Sequence, residues 1–255
     1  MFFDYFFTLI LAIIQGVTEF IPVSSSSHLI IFSKVSKFNY GSLEIDVGLH
    51  LGSLLAIVLY FRKDLIEIKK NKNLVILFLF GSLPLFIVGF LIYYSGLIDY
   101  LRNIHVIAWT TLIFGILLYI SDKFKINKNL DKDLNIKNIF FVGIFQCLAL
   151  IPGVSRAGIT ITAARFLKFD RFEASKISFY LSIPALAGAS FLGLQNILDN
   201  NIDFSLIVLI SSMLSFIFSY LTIKYFLIYV KRYSLDIFAY YRIFLALLLF
   251  IVIYS

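Results

Sequence analysis

Gln15 and Glu19 stand four residues apart, on one face of any helix that contains them. The surrounding letters are apolar, and an ionisable side chain in such a setting marks a functional site by default. Pro22 and the run Ser24-Ser25-Ser26-Ser27-His28 follow, offering hydroxyls and an imidazole within about one turn. Serine is a weak nucleophile until a neighbouring base takes its proton, and histidine is the usual base. A second constellation, Pro152-Gly153-Val154-Ser155-Arg156-Ala157-Gly158-Ile159-Thr160, carries no acid. Its glycine lets backbone approach a ligand, a helix starting near Ser155 turns free N–H groups into the break, and Arg156 presents a planar fork that matches phosphate oxygens. Together these groups suit a multiply charged anion. Plainer readings stand beside this one: Glu19 pairs with Arg156 for structure alone, the serines cap a helix, and His28 satisfies a carbonyl. His50 either faces the site or bonds to a neighbouring helix.

The elements that must position these residues belong to a membrane protein. Of the 255 residues 60% are hydrophobic and only 15% charged, against roughly 45–50% and about 25% in soluble domains. That composition excludes a soluble globular domain, a disordered chain and a disulfide scaffold, and Cys147 has no second cysteine to pair with. The +7 charge lies between apolar runs and not on one face, which argues against nucleic acid. Spans of about 20 residues are expected over 43–62, 74–94, 104–121, 172–194, 204–224 and 237–254. Residues 2–33 and 139–167 are each too broken for one crossing, and read as a helix, a polar break and a short helix, that is, re-entrant hairpins. Seventeen Lys and Arg fall in 62–73, 121–138, 165–176 and 224–232, against Lys34, Lys37 and Arg102 on the other side. The first group is then cytoplasmic, and both termini lie outside. No Lys or Arg precedes Lys34, so a cleaved leader is not expected.

The expected fold class is an all-α integral membrane protein built as an inverted repeat. Residues 1–121 form one hairpin plus three spans, 122–137 a cytoplasmic linker, and 138–255 a second hairpin plus three spans. Gln15-Gly-Val-Thr-Glu19-Phe-Ile-Pro22-Val-Ser24 also resembles Gln146-Cys-Leu-Ala-Leu-Ile-Pro152-Gly-Val-Ser155. Paired broken helices in such a repeat put a polar site near the bilayer midplane. Gly48 and Gly52 form a small face for close helix packing, within the chain or in a homodimer.

With these residues in hand, the chain resembles the undecaprenyl-diphosphatase family, integral membrane enzymes associated with bacitracin resistance. The family's (Glu/Gln)-xxx-Glu and Pro-Val-Ser-Ser-x-x-His motifs read here as Gln15 to His28, and its Pro-Gly-x-Ser-Arg-Ser-Gly-x-Thr motif as Pro152 to Thr160. Leu49-His50-Leu-Gly-Ser resembles its first full crossing. Gln15 stands where many members carry Glu, and Ala157 where serine is usual. The resemblance implies hydrolysis of a polyprenyl diphosphate to the monophosphate and phosphate in the cell membrane, recycling the carrier for cell-wall synthesis.

On that resemblance Ser25 is the expected nucleophile and His28 its base or acid. Arg156, the backbone at Gly153–Ser155 and Thr160 would clamp the diphosphate. Gln15, Ser24, Ser26 and His50 complete the expected binding set. Glu19 would orient His28 or hold a divalent cation, Mg2+ or Ca2+. The rival class is a transporter or flippase of phosphorylated lipids or anions, which shares paired broken helices.

Overall fold

The computed structural model describes residues 2–36, 43–70, 72–126, 128, 130–199 and 206–254; the outer-side segments expected around Lys37 and 200–203 lie outside these. Among the described residues there is no strand, only one isolated bridge between Lys128 and Phe169. The helices are α1 (Phe2–Thr18), α2 (Ser25–Ser36), α3 (Leu43–Tyr60), α4 (Arg62–Lys70), α5 (Lys72–Ser95), α6 (Leu97–Leu101) and α7 (Ile104–Asp122), then α8 (Leu130–Asp133), α9 (Ile136–Cys147), α10 (Arg156–Phe166), α11 (Arg171–Asp199), α12 (Leu206–Val230) and α13 (Asp236–Tyr254). A 3-10 turn, Leu148–Leu150, extends α9.

Five of these helices, α5, α7, α11, α12 and α13, are long and apolar enough to cross a bilayer, as a multi-pass membrane protein requires. The sixth expected span, 43–62, is the shorter α3, which stops at Tyr60 before the charged Arg62-Lys63-Asp64 opens α4. The two regions expected to break do break. Residues 19–24 interrupt α1 and α2, and Pro152 and Gly153 interrupt α9 and α10.

Helix α1 packs on α12 and α9 on α5, while α3 lies against both α11 and α12, and α7 against α13. The α3–α12 seam explains the Gly48–Gly52 pattern. A Cβ at Gly48 would strike the Ser211 hydroxyl, and one at Gly52 the Ser212 carbonyl. At that close approach Ser215 donates to the Leu49 carbonyl at 2.7 Å, and Ser53 bonds to Ser215 and Ser219 at 3.1 and 3.0 Å. Such interhelical bonds contribute about 0.6 kcal/mol each in membranes. These glycines therefore work within the chain.

Polar contacts gather the basic segments at one end. The buried Asp122 carboxylate accepts from Arg171 Nε and Nη2 at 2.7 and 2.9 Å and from the Leu235 N–H at 3.1 Å. Arg165, also buried, donates to the carbonyls of Asp122, Phe124 and Phe169. Asp64 accepts from Tyr180 at 2.8 Å and pairs with Lys176 at 3.2 Å. The ends of α7 and α10 and the starts of α11 and α13 are thus tied together.

Candidate active site

The two breaks are built by the same backbone device. Ser24 and Ser155 each precede a short helix with φ of 78° and 70°, a left-handed conformation that a non-glycine residue adopts at a cost of about 1–3 kcal/mol. Ser155 recovers part of that cost as an N-cap, its hydroxyl accepting from the Gly158 N–H at 3.1 Å. Ser24 instead bonds to the hydroxyls of Ser27 and Ser26 at 3.0 and 3.3 Å. At Gly153 φ is 94°, and a Cβ there would collide with Thr110. Glycine is required because Thr110 reaches past it to the Pro152 carbonyl at 2.7 Å.

Glu19 is where the two breaks meet. Its Oε1 accepts from Arg156 Nη2 at 2.8 Å, and its Oε2 accepts from the Ser25 hydroxyl at 2.7 Å and from Gln15 Nε2 at 3.1 Å. Ser25 and Arg156 are the first residues of α2 and α10. One carboxylate therefore holds the leading side chain of each short helix, one by each oxygen. The Glu19 and Arg156 side chains are 9% and 12% exposed, so the pair is largely but not wholly enclosed. Arg156 also donates to the Ser178 carbonyl at 3.3 Å, and its guanidinium lies 5.8 Å from the Phe20 ring centre.

The other expected residues are placed less uniformly. Thr160 is fully buried behind Arg156, bonded to the Arg156 carbonyl at 2.8 Å and the Ser178 hydroxyl at 2.7 Å, so it braces the arginine. His28 is turned to other partners than Ser25: Nδ1 meets the Ser24 carbonyl and Nε2 the Tyr241 hydroxyl, both at 2.6 Å. A carbonyl only accepts, so Nδ1 carries the proton and Nε2 accepts from Tyr241, whose ring stacks on the imidazole. His50 bonds back to the Asp46 carbonyl of its own helix at 2.8 Å, with the Asp46 carboxylate 3.5 Å away. Ser26 is exposed beside Ser24.

Three residues near the site escaped the sequence reading: Ser178, Tyr241 and Arg242. Arg242 had a visible signal, since a cation inside the apolar run 237–254 falls under the same rule that picked out Glu19. Ser178 and Tyr241 had none, because their parts depend on which helices become neighbours.

The donor set fits a protein-held divalent cation poorly. Among the described residues no group of three His, Cys, Asp or Glu side chains comes together. Glu19 Oε1 is taken by Arg156 and Oε2 receives two donors, while Gln15 brings an amide where a second carboxylate would be wanted.

Residues 8–248 match the family described as bacitracin resistance protein BacA. An undecaprenyl-diphosphatase of Pelagibacter ubique is 54% identical over 97% of both chains. Proteins of the same name from Elusimicrobium minutum and Alcanivorax borkumensis are each 38% identical, over 95% of both chains in the first case and over 96% of this chain and 98% of the relative in the second. The chain belongs to the bacitracin resistance protein BacA family.

Proposed function

We propose, on that membership and on the Glu19 junction, that this protein is an undecaprenyl-diphosphatase. It hydrolyses a polyprenyl diphosphate to the monophosphate and inorganic phosphate, returns the lipid carrier to cell-wall synthesis and confers bacitracin resistance. The family and the relatives' names favour this over a transporter or flippase of phosphorylated lipids.

The observation that carries the chemistry is the Ser25–Glu19–Arg156 chain. Phosphoryl transfer needs mainly positioning and neutralisation of the equatorial oxygens. Arg156 uses three of its five N–H donors, on the Glu19 side chain, the Glu19 carbonyl and the Ser178 carbonyl, which leaves Nε and one N–H of Nη1. Its remaining donors suit the terminal phosphate, joined by backbone N–H groups at the start of α10. The Ser25 oxygen attacks the terminal phosphorus as its proton passes to Glu19. The bond from that phosphorus to the bridging oxygen breaks, and the prenyl monophosphate leaves. Glu19 hands that proton to the leaving monophosphate oxygen, takes one from the water that attacks the seryl phosphate, and returns it to Ser25 Oγ as inorganic phosphate departs. In this assignment Glu19 takes the role that the sequence suggested for His28, because the Ser25 hydroxyl already points at its oxygen. His28 then sets the backbone of Ser24 through its carbonyl. Ser26 borders the approach from solvent, with Gln15, Ser24 and the turn Gly153–Ser155 packed beneath it. Glu19 is the one carboxylate here that would face a divalent cation carried on the substrate's phosphates, and such an ion would supply further charge neutralisation.

The same reading includes the finer architecture. Residues 2–33 and 139–167 are re-entrant hairpins entering from opposite faces, 1–121 and 138–255 are inverted repeats, 122–137 is the cytoplasmic linker, and both termini lie outside. The pairing of α1 with α12 and of α9 with α5 supports it, since the repeat exchanges one pair for the other. A homodimer would have to use a face other than Gly48–Gly52, which α12 covers. The function is tested by incubating purified protein with undecaprenyl diphosphate and measuring phosphate release. Release is expected, and its absence in folded protein, with lipid moved between leaflets instead, would favour the carrier.

A further inference from the structure

Arg242 of α13 reaches both breaks at once. Its Nη1 donates to the Val154 carbonyl at 2.9 Å and to the Pro22 carbonyl at 3.4 Å, its Nη2 to the Gly153 carbonyl at 2.8 Å, and its Nε to the Thr111 carbonyl at 3.4 Å. It is fully buried, and no carboxylate pairs with it among the described residues. The surroundings are shaped to admit it. A Cβ at Gly158 would lie 2.8 Å from its Nη1, and one at Gly115 3.0 Å from its Cβ.

A buried guanidinium held only by carbonyls is expensive to keep, and breaking even is easier for an apolar side chain of similar volume. Two consequences make it useful here. Glu19 and Arg156 cancel each other, whereas the charge of Arg242 is uncompensated, so the junction carries an excess positive charge suited to a multiply charged anion. The C=O and N–H of a trans peptide also point in opposite directions. Holding the Val154 carbonyl therefore turns the Ser155 N–H away from Arg242, at the start of α10 where Arg156 stands. The Pro22 contact sets the other break in register with the first.

We propose that Arg242 is a positioning residue for phosphoryl transfer: it clasps the backbone of both breaks so that Ser25 and Arg156 stay opposed across Glu19, and it leaves the site with net positive charge. The proposal rests on the diphosphatase reading and is tested apart from it. The full chain is purified in detergent as wild type, Arg242→Lys and Arg242→Gln, and phosphate release from farnesyl diphosphate gives kcat and KM. Protection of each protein against thermal unfolding by inorganic diphosphate is measured without turnover. The lysine keeps the charge but cannot span four carbonyls, so kcat falls about tenfold or more with KM within about threefold of wild type. The glutamine loses the charge, so KM rises about tenfold and protection by diphosphate weakens. Wild-type kcat and KM in either folded variant, or equal losses in both variants with no split between kcat and KM, would overturn the proposal. Failure of both variants to fold would also overturn it, leaving Arg242 a prop for the fold. Wild-type protein that releases no phosphate yet is protected by diphosphate would instead count against the diphosphatase reading alone.

Discussion

The first break and the second share a backbone but not a chemistry. In both, a proline and a serine of positive φ lead into a short helix, and the first residue of that helix reaches for Glu19. In the first break that residue is Ser25, a hydroxyl; in the second it is Arg156, a cation. The acid itself occurs once. By the alignment of Gln15 with Gln146, the position matching Glu19 is Leu150. A second carboxylate at the junction would have offset the excess charge of Arg242 and left none for an anion. Two helix N-termini thus meet at one acid, and the proposed mechanism divides nucleophile and clamp between them.

The split is broken most severely at the clamp and the nucleophile. Arg156→Ala removes the cation that faces the terminal phosphate and is expected to lower kcat by about 10³-fold or more, as loss of a transition-state arginine does. A folded variant within tenfold of wild type would mean that Arg156 serves Glu19 and the fold only. Ser25→Ala should be as damaging, and no phosphate should be trapped on the protein by rapid acid quench with labelled substrate. Substantial turnover in that variant would hand the attack to water. Glu19→Gln keeps the shape and one accepting oxygen, enough for Arg156 or Ser25 but not both, and cannot take a proton, so a loss of about 10²–10⁴-fold is expected. Should His28→Gln cost more than Glu19→Gln, the proton would go to the imidazole after all.

A smaller effect sharpens the comparison on the acid's side. Gln15 donates to Glu19 Oε2, while its own Oε1 is buried without a partner. Gln15→Glu would set two carboxylates within reach of each other, and like charges so placed invite a cation. Wild-type turnover should change less than about twofold on chelation, whereas the variant should lose several-fold and regain it with added Mg2+. Equal sensitivity of both proteins would show that Glu19 alone recruits the ion.

The sequence carried much of this arrangement, for identifiable reasons. Glu19 and Arg156 stood out because ionisable groups are rare among apolar letters, and the breaks stood out because Pro22 and Pro152 come with serines or a glycine between apolar runs too short to span, unlike Pro84 and Pro184, which lie inside α5 and α11. The lengths of α7 and α13 followed from hydropathy. Partnership was harder to read. That Ser25 would turn to Glu19 and His28 to Tyr241 depends on the packing of α13 beside α2, a contact between residues 213 positions apart. Thr160 carries the same hydroxyl whether it faces a ligand or braces Arg156 from behind, and only the neighbouring Ser178 of α11 decides between them. The end of α3 at Tyr60 was overrun because the aromatic pair Tyr60-Phe61 continues the apolar run up to the first charge.

The smallest effect belongs to the second break. Gln146 is fully buried, and neither its amide nitrogen nor its oxygen has a partner, whereas the matching Gln15 has Glu19 to donate to. The contrast follows from Leu150: with no acid one turn on, the amide has nothing to hold. An unsatisfied buried amide costs about 1–3 kcal/mol, and an apolar side chain of similar size avoids that cost. Gln146→Leu is therefore expected to leave kcat and KM within about twofold of wild type and to raise the thermal midpoint in detergent by a few degrees, at about 2–4 °C per kcal/mol for a chain of this size. The same change at Gln15 should cost activity, because there the amide steadies the carboxylate that Ser25 and Arg156 share. If Gln146→Leu instead lowered turnover as far as Gln15→Leu, both amides would be at work on the substrate, and the division of labour between the two breaks would have to be redrawn.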